Sequence, residues 1–319
     1  NLFQGGDALD TNSLLYFAEA AKDLNFTRTA KRLFISQQNL SNHISRLEDY
    51  YRVKLFERKP HLALTYSGEV LLAYANNFKM DEDNLKNVLS DIHEKERGTL
   101  RIGCSPVRSS IVMPILSEIF NRDYPNVELH LYQQHSNELS EMLLSGTLDF
   151  AISVDKIFHP NLISTHLFTD TMFLMVSRNL LYNFFGDQTD SIIEEAQNGA
   201  SLKTFEALPF VNVRSTSIVQ DCFETSGCTP NFIVTTSFPQ YTMPNYYERM
   251  AASIVTRTIY LHIREHISDN ILFFPLITSP VLSLHDISFI RHKRKYLTKY
   301  GQHFLDITSK YFKNLEAQA

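Results

Sequence analysis

Residues 26–48 read FTRTAKRLFISQQNLSNHISRLE, and the pattern in this stretch decides the fold of the N-terminal part of the chain. Leu40, Ile44 and Leu47 are spaced by four and three residues, which predicts an amphipathic helix. The opposite face of this helix carries amides, an imidazole and a guanidinium: Asn39, Asn42, His43 and Arg46. Such groups hydrogen-bond to base edges and phosphates. An ordinary solvent-facing helix is the alternative, so the flanking residues have to decide.

The flanking residues predict two further helices and a wing. An apolar stripe from Leu14 to Leu24 indicates a first helix, and RTAKRLF, with Thr27 as its N-cap, indicates a second. Ser36 would cap the third helix. Two short helices joined by a tight turn form a helix-turn-helix, whose second helix lies in the major groove. The alternating stretch 53–65 then predicts a two-stranded wing with a basic tip.

The run from Phe17 to Glu69 resembles the winged helix-turn-helix of LysR-type transcriptional regulators. The resemblance rests on motif residues at matching spacings: Phe26-Thr27-Arg28-x-Ala30, Leu33, Ser36-Gln37, Leu40-Ser41, Ile44, Leu47-Glu48, Leu55-Phe56-x-Arg58 and Leu64-Thr65-x-x-Gly68-Glu69. The chain departs from the family at Gln38, usually proline, at Asn39, usually alanine, and at Asn42-His43. The predicted DNA-binding residues are Thr27, Arg28, Ser36, Gln37, Gln38, Asn39, Ser41, Asn42, His43, Arg46, Arg58, Lys59 and His61.

Residues 67–97 are predicted to form a long linker helix after the DNA-binding domain of residues 9–66. Apolar residues alternate at spacings of four and three, interrupted only by Glu82, and they suggest a seam between two copies: Leu71, Ala75, Phe78, Leu85, Leu89 and Ile92. The resemblance implies the same paired helix. A single helix packed on its own domain is the alternative.

Residues 98–319 alternate between strand and helix patterns, which predicts βαβ units with a parallel sheet. Residues 98–153 resemble the first half of the LysR effector domain, itself similar to periplasmic binding proteins. Two α/β subdomains are expected, one from residues 98–168 and 269–319, the other from 169–268. In the second half, MAASIVTRT stands where the family usually has a glycine-rich turn, VAAGxGI.

A small-molecule effector is expected in the cleft between these subdomains, at the carboxyl ends of the strands. CSPVRSS and NVRST each follow a strand and offer hydroxyls, backbone N–H groups and an arginine, which favours an anionic ligand such as a carboxylate. Surface arginines beside helix ends are the alternative. The predicted effector-binding residues are Ser105, Val107, Arg108, Ser109, His135, Asn212, Arg214, Ser215 and Thr216.

Composition and charge fit a globular protein that acts on nucleic acid through one small module. The chain has 44% hydrophobic and 20% charged residues and a net charge of −5, but residues 9–66 carry nine Lys/Arg against six Asp/Glu. The absence of a long apolar run or leader pattern argues against a membrane span or a secretory signal. Three cysteines without a CxxC motif lead us to expect a reducing cytoplasm. Residues 1–8 look like a tag remnant.

An enzyme or a solute-binding protein on the same α/β halves is the alternative function. The sequence has no GxSxG, GxGxxG or Walker motif, and we expect no catalytic residue, metal or cofactor. His262 and His266 spell HxxEH, which matches a zinc-peptidase motif, but the only glutamate after Glu265 that could be the third ligand is Glu316. Cys222 and Cys228 suggest either a redox pair or buried thiols. The expected partners are operator DNA, the effector, a second copy in a homodimer or homotetramer, and RNA polymerase.

Overall fold

The computed structural model describes residues 10–59, 61–93, 97–154, 159–213, 218–237, 250–277 and 284–317. The chain divides into two compact units. The first contains the N-terminal segment through the long helix, together with Leu144–Thr147 and Arg294–Tyr296. The second contains the remainder. Within the described residues, no helix is long and apolar enough to cross a membrane.

The first unit consists of helices and a small hairpin. Its elements are α1 (Thr11–Asp23), α2 (Phe26–Arg32), α3 (Gln37–Tyr51), β1 (Phe56–Glu57), β2 (Ala63–Leu64) and α4 (Tyr66–Ile92). Strands β1 and β2 pair antiparallel, so the predicted wing is present. The long helix is also present, although it ends at Ile92, before the predicted end at residue 97.

Side-chain caps start these helices at defined residues. The Ser36 hydroxyl accepts the N–H of Asn39 at 3.1 Å, as the sequence predicts. The prediction that Thr27 caps α2 is wrong, because α2 begins at Phe26 rather than at Arg28, and the Asn25 side chain accepts the N–H of Arg28 at 3.0 Å. Asparagine satisfies a free N–H of the first turn as well as threonine does.

The core of the first unit is an aromatic and aliphatic cluster shared by all its helices. Phe17 and Leu40 are fully buried in it, and Phe17 packs edge-on against Phe56 at 5.5 Å. Leu71 and Ala75 of α4 lie in the same core. Their assignment to a seam with a second copy is therefore wrong, because Ala75 is 0% exposed within a single chain.

The C-terminal half of α4 presents a different face. Leu85, Leu89 and Ile92 are exposed by 59%, 47% and 67% of their surface, whereas Phe78 is half-buried beside the core. Asn84 holds the segment Arg294–Tyr296, since its side chain donates to the Arg294 carbonyl at 2.6 Å and accepts the Tyr296 N–H at 2.8 Å. The helix thus changes the face that it buries at about its midpoint.

The second unit is built from strands and helices in alternation. Its strands are β3 (Gly98–Cys104), β4 (Val127–Gln133), β5 (Phe150–Ser153), β6 (Leu162–Ser177), β7 (Pro209–Val213), β8 (Asn231–Thr236), β9 (Ser253–Thr256), β10 (Ile271–Pro275) and β11 (Leu284–His292). Its helices are α5 (Pro106–Asp123), α6 (Ser136–Leu144), α7 (Arg178–Phe185), α8 (Thr189–Gln197), α9 (Ile218–Ser226), α10 (Arg257–Ile263) and α11 (Lys299–Ala317).

The main sheet is mixed, whereas the sequence predicts a parallel one. Its order is β10-β6-β11-β5-β3-β4, and β9 also pairs with β6. Strand β3 runs parallel to β4 and β5, but β6 runs antiparallel to β9, β10 and β11. Strands β7 and β8 form a separate parallel pair. The long β6 therefore contributes to both halves of the unit.

Two hydrophobic cores flank this long strand, which agrees with the two expected subdomains. Phe168 lies in the first core and Leu174 in the second. Phe274 and Leu276 also pack in the second core, whereas the prediction gave all residues from 269 onward to the first subdomain. The stretch that stands in place of the family's glycine-rich turn contains strand β9, because Ser253 and Val255 pair with β6.

Candidate functional site

The N-terminal end of α3 presents a continuous polar surface. The predicted DNA-binding residues that are exposed are Thr27, Arg28, Ser36, Gln37, Gln38, Asn39, Asn42, Arg46, Arg58, Lys59 and His61, while Ser41 is half-buried. The Thr27 hydroxyl donates to the Gln37 side chain at 3.2 Å, which joins the first turns of α2 and α3. Gln38 similarly donates to Asn42 at 3.1 Å. This surface thus offers oriented amides and a guanidinium.

His43 does not belong to this surface, so its predicted base contact is wrong. Its Nδ1 lies 2.8 Å from the Ser13 hydroxyl and 3.6 Å from the Asp10 carboxylate, both at the start of α1. Its ring also packs against Tyr16 at 4.8 Å. Helical spacing assigns a side chain to a face of the helix only approximately. His43 lies at the edge of the polar face, so spacing alone does not show which way its side chain turns. His43 therefore fixes α3 against α1.

An ionic network holds the three helices behind this surface. The Glu19 carboxylate forms ion pairs with the Arg32 guanidinium at 2.7 Å and with the ammonium groups of Lys79 at 3.0 Å and Lys22 at 3.2 Å. Burial raises the pKa of Glu19, but the hydrogen bonds from Arg32 and Lys79 outweigh it and lower that pKa to about 2. Arg32 also contacts Asp23 at 2.8 Å. The network connects α1, α2 and α4.

The wing is positioned by two residues of the family motif. The buried carboxylate of Glu48 accepts the Leu55 N–H at 2.9 Å and the Lys54 ammonium at 2.7 Å. Burial opposes this ionised state, yet the contacts with Lys54 and Leu55 lower the pKa of Glu48. A Cβ atom on Gly68 would lie 2.2 Å from the Leu55 carbonyl oxygen. Only glycine allows α4 to approach the wing so closely.

Phe34 is a feature that the sequence analysis did not single out. It lies in the turn between α2 and α3 with a φ of 56°, and its side chain is 95% exposed. A bulky residue rarely adopts this left-handed conformation. No pattern of apolar spacing could reveal it, because the feature arises from the tightness of the turn.

In the second unit, the predicted effector ligand Arg108 forms a buried ion pair instead. Arg108 is 3% exposed, and its Nη2 donates to Asp170 Oδ2 at 3.0 Å. Asp170, fully buried on β6, also accepts the Thr258 hydroxyl at 2.7 Å and the Thr258 N–H at 3.0 Å. The proposed bidentate contact from Arg108 to an effector is therefore wrong, since one arm of the guanidinium is already bound.

The two serines at the start of α5 differ in whether their hydroxyl groups already have hydrogen-bond partners. Because α5 begins at Pro106, the Ser109 N–H is used within the helix and bonds to the Ser105 carbonyl at 2.9 Å. The Ser109 hydroxyl donates to the Pro106 carbonyl at 2.8 Å, so its predicted role as an anion donor is also wrong. In contrast, the Ser105 hydroxyl is buried and has no hydrogen-bond partner among the described residues.

The remaining predicted effector residues are only partly placed. His135 is exposed and Asn212 is half-buried at the end of β7. The Val107 side chain and Arg214, Ser215 and Thr216 lie outside the described part of the chain. The structure thus brings Ser105 and Arg108 together at one helix start but does not test the opposite loop.

Asp170, Arg257 and Thr258 form the part of this site that the sequence analysis missed. Arg257 lies over the Phe168 ring, 5.7 Å from its centroid. One signal was available, because Asp170 is the only acidic residue of strand β6. Its partners come from 62 and 88 residues away along the chain, which no local pattern reveals.

The cysteines are buried thiols. Burial raises the pKa of Cys104 to about 12 and that of Cys222 to about 11, and it also raises the pKa of Cys228. Cys222 and Cys228 both lie in the second core. Since the thiolate is the reactive form, neither is activated in this structure.

The HxxEH segment does not form a helical pair of histidines. Helix α10 ends at Ile263, so His266 lies beyond it. His262 Nδ1 lies 2.7 Å from the Thr258 carbonyl oxygen, and its Nε2 lies 2.5 Å from the Tyr311 hydroxyl. Both ring nitrogens of His262 thus have protein partners.

The fold and surfaces define a class: a winged helix-turn-helix unit joined to an α/β unit with two cores. Family models match both parts. Residues 11–69 match the bacterial regulatory helix-turn-helix protein, lysR family, and residues 93–241 match the LysR substrate binding domain. The chain belongs to the LysR family of regulators.

Curated relatives match the chain over part of their length. The transcriptional regulator YtlI of Bacillus subtilis is 31% identical over 175 residues, which is 53% of this chain and 55% of that protein. The malolactic fermentation system transcriptional activator of Lactococcus lactis is 32% identical over 53% of this chain and 58% of its own length. The matched region spans about half the length of these relatives.

Solved structures share the fold over almost the whole chain. A full-length OxyR variant from Pseudomonas aeruginosa has a TM-score of 0.67 at 17% identity, covering 97% of this chain and 96% of its own. CbnR in complex with its target DNA has a TM-score of 0.56 at 20% identity, covering 95% and 99%. At these identities the likeness concerns the fold.

Proposed function

We propose that this chain is a sequence-specific DNA-binding transcriptional regulator. The observation that carries the proposal is the exposed polar end of α3, where Gln37, Gln38, Asn39, Asn42 and Arg46 are presented by a winged helix-turn-helix. Amide and guanidinium groups in the major groove distinguish base pairs. The structure of CbnR bound to DNA, which shares this fold, supports the same use of the unit.

The contacts divide into two roles. Asn42 and Arg46 read bases from α3, while Arg28 at the start of α2 and Arg58 in the wing hold the phosphate backbone. The wing residues Arg58, Lys59 and His61 are exposed, which fits a surface that follows the DNA. His43 contributes by orienting α3 rather than by touching DNA.

The second unit, in this proposal, binds a small anionic effector between its two cores. The family model for a substrate binding domain supports a ligand site there. Arg214, Ser215 and Thr216 remain predicted ligands from the second subdomain. Effector binding would alter the affinity for DNA, and DNA would alter the affinity for the effector by the same factor.

Self-association through α4 completes the proposal. Leu85, Leu89 and Ile92 form an exposed apolar stripe, and a second copy of the helix is the partner that the coiled-coil spacing favours. A homodimer or homotetramer would place two α3 helices on two half-sites of the operator. We infer a cytoplasmic regulator without enzymatic activity, with RNA polymerase as a further partner.

A gel shift on the intergenic DNA upstream of the gene tests the proposal. We expect a specific complex that weakens steeply as the salt concentration rises, because phosphate contacts release counterions. A chain that binds small molecules but no DNA under any salt condition would support the alternative, a binding protein or an enzyme.

A further inference from the structure

Phe34 costs the fold of the first unit free energy in two ways. Its φ of 56° is left-handed, a conformation that glycine and asparagine adopt far more readily than a bulky residue does. Its side chain is 95% exposed, so almost all of its apolar surface stays in contact with water. Strained residues of this kind cluster at functional sites, where a gain in function offsets the strain. The side chain of Phe34 therefore needs a role other than packing within this chain.

The turn between α2 and α3 holds the backbone of Phe34 in a defined place. The Phe34 N–H donates to the Lys31 carbonyl at 3.3 Å, and the Ile35 N–H donates to the Ala30 carbonyl at 3.0 Å. The Ile35 side chain packs against the core of the first unit. Since these contacts fix the chain on both sides of Phe34, its exposed ring is presented by an ordered turn.

This turn leads directly into the surface that we propose to read DNA. Ser36 caps α3 two residues after Phe34, and Gln37 begins the helix with an exposed side chain. Three residues of chain span at most about 11 Å, so Phe34 lies close to Gln37. The first residues of the second helix of a helix-turn-helix contact base edges. When α3 lies in the major groove, the ring of Phe34 lies beside the same groove.

The neighbours of Phe34 along the chain fit DNA better than an apolar protein partner. The exposed residues on either side of it are polar or basic: Lys31, Arg32, Ser36, Gln37, Gln38 and Asn39. Cationic and amide groups suit phosphates and base edges, whereas a docking site for an apolar partner needs a larger apolar patch. The apolar group that a phenylalanine contacts in the major groove is the methyl group of thymine.

We propose that Phe34 contacts the methyl group of a thymine beside the bases that α3 reads. The partner is duplex DNA with a thymine at this position of each half-site. The methyl group distinguishes thymine from the other bases, so the contact adds to the specificity for the operator. The inference rests on the proposed DNA-binding function and adds an apolar contact to the polar ones of α3.

Deoxyuridine tests this contact, because it pairs like thymidine but lacks the methyl group. Gel shifts measure the affinity of the full chain for the upstream intergenic DNA, prepared with thymine or with deoxyuridine throughout. We expect the wild type to bind the deoxyuridine DNA at least about fourfold more weakly, the effect of exposing one buried carbon. Phe34→Asn should bind the thymine DNA about tenfold more weakly than the wild type and lose less affinity on deoxyuridine DNA.

Thermal unfolding of the same variant separates a DNA contact from a structural role. Phe34→Asn should raise Tm, because asparagine adopts the left-handed conformation more readily and an exposed ring contributes no packing. Weaker DNA binding by a more stable protein is the result that we expect. A residue that only maintained the fold would lower both Tm and affinity, and that result would contradict the proposal.

Two further variants control for side-chain type and position. Phe34→Leu keeps an apolar side chain at the turn and should retain more affinity than Phe34→Asn. Tyr50→Asn removes another aromatic residue of α3, which is 52% exposed and lies about 20 Å along the helix from Gln37. This control should bind both DNAs like the wild type.

Two results on DNA would overturn the contact. If Phe34→Asn binds thymine DNA with wild-type affinity, Phe34 does not contact DNA, and its exposure would point to a protein partner. If the variant binds more weakly but shows the same loss on deoxyuridine DNA as the wild type, thymine is not the contacted group. A wild type that binds neither DNA would overturn the proposed function together with this contact, and that failure is seen before any variant is compared.

Discussion

The Glu19 carboxylate gives the DNA-binding unit a specific dependence on pH. Its folded-state pKa of about 2 lies below the ordinary value of 4.5. A carboxylate with a lowered pKa stabilises the fold when the pH is above the ordinary pKa of the unfolded chain. This contribution is lost as the pH falls through the folded-state pKa. Acid should therefore weaken the link between α1, α2 and α4.

We predict that Glu19→Gln lowers the stability of the first unit near neutral pH by about 1–2 kcal/mol, after allowance for solvent screening. The difference from wild type should shrink as the pH falls from 4.5 toward 2, which chemical unfolding at several pH values would measure. Lys79→Gln removes one partner and should show a smaller loss with the same trend. A difference that stays constant with pH would contradict this role of the carboxylate.

Gly68 is required by the close approach of α4 to the wing. We predict that Gly68→Ala destabilises the unit by about 1–3 kcal/mol, because the new Cβ would lie 2.2 Å from a backbone oxygen that cannot rotate away. Thermal unfolding measures the loss, with Ser67→Ala in the same turn as the control. An alanine variant as stable as the control would show that the wing can shift at little cost.

Sequence reasoning at the residue scale succeeded where a side chain faces water and failed where it has a distant partner. The exposure of Gln37 and Arg46 followed from helical spacing. The contact of His43 with Ser13 joins residues 30 positions apart, and that of Arg108 with Asp170 joins residues 62 positions apart. Such contacts depend on how elements pack, which local spacing does not determine.

At the scale of elements, α4 shows how one apolar pattern can serve two surfaces. The spacing correctly predicts a long helix, but it reads as a single seam from Leu71 to Ile92. In the structure, Leu71 and Ala75 belong to the unit's own core, whereas Leu89 and Ile92 are exposed. The sequence could not separate the residues buried in the unit's own core from those left exposed. Both a core position and a position facing a second copy require apolar residues.

The exposed half of the stripe gives a prediction about assembly. Leu89→Asp should convert the protein to monomers and weaken operator binding, because a carboxylate buried between two helices costs several kcal/mol. Light scattering measures the mass. Ile233→Asp, at a residue of β8 that is 44% exposed, should leave the mass unchanged. A Leu89→Asp variant that keeps the wild-type mass would assign the assembly to another surface.

The mixed sheet marks the limit of strand prediction. Apolar runs do not reveal the direction of a strand, and in β6 the apolar run begins only at Met172. The structure extends it from Leu162 to Ser177, so that it serves both cores. Its first half contains a run of exposed polar residues, Ser164, Thr165 and His166, which weakens the local strand signal.

For the whole molecule, the class of protein and the order of its domains could be predicted from the sequence. The winged helix-turn-helix precedes the long helix and the α/β unit, and the family models match in that order. The buried cluster of Arg108, Asp170 and Thr258 could not be predicted. Its polar groups come from α5, β6 and α10, which become neighbours only when the second unit is folded.

The central claim is that α3 reads DNA sequence, and it is tested most directly by the operator affinity of Arg46→Ala. Fluorescence anisotropy at moderate salt compares it with wild type on the operator and on operators with single base changes. Arg122→Ala is the control, since this arginine is exposed by 70% and lies on α5.

We predict that Arg46→Ala loses about 1–3 kcal/mol of binding free energy and tolerates base changes near its contact, while Arg58→Ala weakens all sequences alike. The control should match the wild type. Unchanged operator affinity and specificity in Arg46→Ala would contradict the account of α3 as the recognition helix.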